Sequence, residues 1–159
     1  MRKARAPLTP LRLLGFLLLA VPAACSDAPR ADVVGKWDCL EVQPTPYEEM
    51  VFTMEIEPKG RFFVDAEADG QFDEGHFQFA FTGSGKLTTP KDQFIAIYKD
   101  IDVEWASMDD VAYDEAQVKE LEAQQLAAVG YTFTIDTLTA DEMTVHDRTS
   151  HTVCKRIEG

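Results

Sequence analysis

Apolar and polar residues alternate with a period of two over much of the chain. Phe52-Thr53-Met54-Glu55-Ile56-Glu57 sets three apolar side chains on one face and three polar ones on the other, and Phe77-Gln78-Phe79-Ala80-Phe81-Thr82 does the same with phenylalanine. Ile101-Asp102-Val103-Glu104-Trp105, Tyr131-Thr132-Phe133-Thr134-Ile135 and Met143-Thr144-Val145-His146 continue the pattern. Such alternation marks strands with one buried and one solvated face. Strands are predicted near 34–42, 50–57, 61–67, 72–83, 93–105, 131–137, 141–147 and 151–156. Turn residues separate them. Pro58-Lys59-Gly60 joins the second to the third, and Asp69-Gly70 is a strong hairpin signal after the third. Gly83-Ser84-Gly85 through Pro90 reads as a looser connection, and Asp147-Arg148-Thr149-Ser150 as the last turn.

One stretch departs from period two. Asp114-Glu115-Ala116-Gln117 is a capping box, and helix formers follow it. Val118, Leu121, Leu126 and Val129 fall near one stripe, Glu115 and Lys119 suit an i,i+4 pair, and Gly130 suits the C-terminal cap. The stripe is narrow and is broken by Gln125, so the helix is expected on the barrel's surface or mouth. A long antiparallel meander with a single helix before its sixth strand predicts a mainly β fold. The expected form is an up-and-down β-barrel of about eight strands, with a β-sandwich as the alternative.

The first 24 residues belong to neither pattern. Arg2, Lys3, Arg5 and Arg12 precede the apolar run from Leu13 to Val21, which is too short to span a bilayer, and Pro22-Ala23-Ala24-Cys25 follows. This arrangement is a cleaved export signal. Val21-Pro22-Ala23-Ala24-Cys25 resembles the lipobox of bacterial lipoproteins, with Pro22 where an aliphatic residue is usual. That resemblance implies a diacylglyceryl anchor on Cys25, cleavage before it, and membrane association through the lipid. Ser26 after the cysteine leans toward the outer membrane, facing the periplasm. The alternative is an ordinary secretory signal cut near Val21-Pro22-Ala23, leaving Cys25 as a free thiol. The expected organisation is 1–24 signal peptide, 25–32 tether and 33–159 barrel domain.

Cleavage would leave 11 basic against 28 acidic residues, a formal charge of −17 on 135 residues. Such a surface repels nucleic acid and anionic headgroups, which argues against both as partners. Lipidation of Cys25 would leave Cys39 in the first strand and Cys154 in the last as an even pair. Export favours a disulfide between them, and a bridge would make the terminal strands neighbours and so close the barrel. Two buried free thiols are the rival reading.

Gly35-Lys36-Trp37 opens the first strand and Thr152-Val153-Cys154-Lys155-Arg156 ends the last. This resembles the lipocalin (calycin) pattern and the small bacterial lipoproteins with lipocalin-like domains. The resemblance implies a barrel whose base is plugged by Trp37, with Lys155 or Arg156 over its ring. It also implies a small apolar or amphipathic ligand.

Signals for other chemistry are fragmentary. Asp65-Ala66-Glu67-Ala68-Asp69-Gly70 imitates the start of a calcium loop, but His76 stands where a bidentate Glu belongs, so the acids read as hairpin decoration. His146 and His151 flank the last turn near Asp147, short of a zinc site. Thr82-Gly83-Ser84-Gly85-Lys86 fails the phosphate-loop spacing, and no nucleophile sits in a catalytic frame. No catalytic residue, metal site or cofactor is expected. The aromatic set is the remaining lead. It either fills the barrel or lines a pocket, with Phe77, Phe79, Phe81, Tyr98 and Trp105 as the expected lining. A lipid-anchored binding module is thus the first reading. The second is a protein-interaction lipoprotein of an envelope assembly with a filled barrel.

Overall fold

The computed structural model describes residues 28–42, 47–73, 75–127 and 130–158. The expected signal peptide and Cys25 lie outside them. In chain order the elements are β1 (Gly35–Val42), β2 (Tyr47–Ile56), β3 (Arg61–Phe72), β4 (Gly75–Thr88), β5 (Gln93–Met108), β6 (Val111–Ala112), α1 (Glu115–Ala127), β7 (Tyr131–Leu138), β8 (Glu142–His146) and β9 (His151–Arg156). Sheet order is β4-β3-β2-β1-β9-β8-β7-β5-β6, and β4 also pairs with β5. That last pairing joins the ends of the sheet. The β-sandwich alternative is thereby excluded, and the fold is a closed antiparallel barrel of eight long strands plus the two-residue β6. Each long strand finds both neighbours within residues 35–156, so the barrel is self-contained.

Closure runs through the first and last strands. β1 and β9 pair over six residues, with Cys39 opposite Cys154, and the two are joined in a disulfide. The rival of two free thiols is therefore excluded. Below the bridge, Trp37 is fully buried and donates its Nε1–H to the Val33 carbonyl at 2.8 Å. The Arg156 guanidinium lies 4.0 Å from the Trp37 ring centroid and donates to the carbonyls of Val34, Asp32 and Ala140. Of the two basic candidates, Arg156 covers the ring while Lys155 is exposed. Gly35, at φ +135°, leaves the space that Arg156 Nη1 occupies, since a Cβ there would collide with it.

The segment expected to be a free tether is held to this base from Pro29 onward. Arg30 donates its backbone N–H to Thr89 Oγ1 at 2.6 Å, and Val33 is fully buried.

Two predicted turns are strand instead. β3 runs through Asp69-Gly70 to Phe72, because Ala66, Ala68 and Gly70 continue the buried phase with small residues that carry little apolar signal. β4 likewise runs through Gly83-Ser84-Gly85 to Thr88. Its glycines make room for neighbours rather than a loop. A Cβ on Gly83 would sit 2.7 Å from the Tyr98 ring, and one on Gly85 would meet the Ile97 carbonyl and the Phe62 ring.

The capping box is formed as expected. Asp114 N–H donates to Gln117 Oε1 and Gln117 N–H to Asp114 Oδ1, both at 2.9 Å. Glu115 and Lys119 pair at 2.5 Å. No described residue of α1 is buried, and Val118 and Leu121 pack against the upper apolar cluster around Phe77, Phe79 and Val103.

Candidate functional site

The strands do not fill the interior. A cavity of about 270 Å³, partly open to solvent, lies above the disulfide. Met54, Phe62, Phe94, Met143 and Cys154 form its lower wall, and Phe52, Phe79, Phe81, Tyr98 and Phe133 belong to its apolar lining. Rings meet edge to face within it. Tyr98 packs on Phe62 at 5.0 Å and on Tyr131 at 5.8 Å between centroids. The volume lies just under the roughly 300–1,000 Å³ usual for small-molecule sites.

Polar groups gather toward the mouth. Inward positions of β1 rise as Trp37, Cys39 and Glu41, and their partners on β9 rise as Arg156, Cys154 and Thr152. Glu41 is only 6% exposed and lines the cavity. Sequence reading passed over it, although it shares the phase of Trp37 and Cys39; a carboxylate inside an apolar run was the available signal. Burial pushes the Tyr98 phenol well above its ordinary pKa, and nearby Tyr131 and Glu41 push it further. Tyr131 is raised in the same way, first by burial and then by Glu41. At the rim, Asp147 accepts the backbone N–H groups of Thr149 and Ser150 at 2.7 Å. Burial raises its carboxyl most, but those hydrogen bonds together outweigh it and leave the pKa below the usual range.

One side of the wall is incomplete as sheet. β5 pairs with β7 over only four residues, Gln93–Ala96, against twelve with β4. α1 packs along β5 beyond that point, and Glu122 Oε1 accepts the Val103 backbone N–H at 3.0 Å. The helix thus satisfies a strand edge that β7 leaves bare. Gln125 from α1 reaches the cavity and accepts the Tyr131 hydroxyl at 3.2 Å.

Of the five aromatic residues expected to line a pocket, Phe79, Phe81 and Tyr98 do so. Phe77 is buried above them and lines a second, more open groove under α1, with Phe72, Met108, Tyr113 and Leu121. Trp105 points outward and is 44% exposed. The register explains the reversal. Ala80 pairs with Trp105 but Phe81 with Val103, so Glu104 is an extra residue and the bulge flips the phase, putting Ala106 inside.

The other fragments stay dispersed. Asp65 and Glu67 lie on the exposed face of β3, while Asp69 contacts His76 at 2.7 Å and Gln78 at 2.8 Å. His146 and His151 do pair across the last hairpin, but His146 Nδ1 is bound to Asp136 at 2.7 Å. Among the described residues, no three His, Cys, Asp or Glu side chains converge as metal ligands.

No family model matches the chain, and no curated protein does. Among solved structures, the chain is similar to the crystal structure of a lipocalin-like protein from Bacteroides uniformis ATCC 8492. The two are 12% identical, with 79% of this chain and 99% of that one covered and a TM-score of 0.42.

Proposed function

We propose that this protein is a lipid-anchored binding module of the bacterial envelope that holds a small apolar or amphipathic molecule inside its barrel. The observation that carries the reading is the cavity of about 270 Å³, walled by aromatic and aliphatic side chains with polar groups at one end. An eight-stranded barrel can be packed solid by its own side chains; this one is not. Native mass spectrometry on the chain from Ser26, exported behind a cleavable leader, tests it. The expected result is a retained small molecule, lost after denaturing extraction, or uptake of the neutral fluorophore N-phenyl-1-naphthylamine. Neither retention nor uptake would overturn the reading.

Anchoring through Cys25 sets an orientation. Only Ser26, Asp27 and Ala28 separate Cys25 from Pro29, which is buried where the chain meets the barrel base, and four residue steps span at most about 14 Å. The closed end would therefore face the bilayer and the mouth the aqueous compartment. Cys25→Ser is expected to abolish metabolic labelling with a palmitate analogue and to move processed protein out of the outer-membrane fraction. Unchanged labelling would refute the anchor.

One observation favours a second reading. Leu40, Val42 and Val51 are 39%, 49% and 44% exposed on the outer faces of β1 and β2, which supports a protein partner there. Loss of a specific envelope crosslink in Leu40→Glu, with ligand uptake intact, is the expected signature.

A further inference from the structure

We infer that the cavity selects amphipathic molecules carrying a cationic, amine-type head group over fatty acids and other anionic amphiphiles. The inference rests on the cavity being the ligand site. Its basis is the sign of the charge inside. The strand period that aims Trp37 at the base and Cys39 into the bridge aims Glu41 into the cavity, where it is 6% exposed. Asp147 adds a second carboxylate at the rim, held by two backbone N–H donors. The described lining contains no Lys, Arg or His.

An entering carboxylate would lose its hydration and meet two acids, with no cation in the described lining to replace the lost water. Both effects oppose it in a site of low polarity. An ammonium group meets the opposite situation. It offsets the field of the buried carboxylate, and its N–H donors find acceptors in Glu41 and in the oxygens of Tyr98 and Tyr131. The tail would then lie against Phe81, Phe133 and Met143. The chain's formal charge of −13 favours approach of cations over anions.

The test is calorimetric titration of the exported chain from Ser26 with decylamine, decanol and decanoate, three probes with one tail and different heads. Decylamine is expected to bind at least about tenfold tighter than decanoate, the lower end for a hydrogen bond to a charged group, with decanol between. Glu41→Gln, checked for folding by circular dichroism, is expected to bring the amine-to-carboxylate ratio to within about threefold. Decanoate binding as tightly as decylamine overturns the selectivity and leaves the cavity reading intact. No binding of any of the three overturns both. An unchanged ratio in folded Glu41→Gln overturns the role assigned to that residue.

Discussion

Reducing the Cys39–Cys154 bridge isolates the contribution of covalent closure, because it leaves the volume of both buried side chains nearly unchanged. The cysteines are 115 residues apart. Chain entropy for a loop of that length corresponds to about 4.8 kcal/mol at 25 °C, with roughly 2–4 the usual measured range. Most of this acts on the unfolded chain, which the bridge confines. The six-residue β1–β9 ladder is present either way. Urea unfolding of oxidised and reduced protein, followed by circular dichroism, measures the difference. The expected outcome is a loss of about 2–4 kcal/mol and a steeper dependence on urea after reduction, since an uncrosslinked chain exposes more surface. Reduction of the folded protein should also be slow, because Cys39 and Cys154 are 3% and 1% exposed. A difference below about 0.5 kcal/mol would refute the reasoning, and the strand ladder with Trp37 beneath it would then account for closure alone.

Trp37→Ala removes the base plug, its hydrogen bond to Val33 and its contact with Arg156, and should cost about 3–5 kcal/mol in urea unfolding; a loss under 1 kcal/mol would mean that the base is not the fold's anchor. Trp105→Ser should change stability by less than about 0.5 kcal/mol and leave ligand uptake unaffected, whereas an equal effect on uptake from Trp105→Ser and Phe81→Ala would contradict the bulge at Glu104. His76 should titrate above its ordinary value of 6.5 because the Asp69 carboxylate beside it favours the imidazolium, and Asp69→Asn should lower it. The stabilisation from raising His76 is complete below about 6.5 and fades as pH rises through the folded value; that from depressing Asp69 is present above about 3.8 and fades as pH falls through its folded value. Histidine NMR titration reads this directly, and a His76 midpoint at or below 6.5 would remove the pair.

Most strand phases and the capping box are local matters, and the sequence by itself determined them. Alternation fixes which face of a strand is apolar wherever the large residues are regular, as in Met54, Ile56, Val145 and Cys154. The base, with Trp37 as its plug and Lys155 or Arg156 over the ring, came from the resemblance carried by Gly35-Lys36-Trp37 and the last strand, and the fold chose Arg156. Only the tertiary structure decided the rest. Whether Asp69-Gly70 turns depends on what β2 and β4 offer opposite it, and both offer a ladder partner. Whether Trp105 points in or out depends on one extra residue facing β4. The helix was legible, but not its task of capping the β5 edge that short β7 leaves bare. The cavity is furthest from the sequence, because empty space belongs to no residue. It arises from strand number and the small inward residues Ala66, Ala68 and Ala96, and only closure of the ring turns a buried phase that includes Glu41 into a chamber with a charge inside.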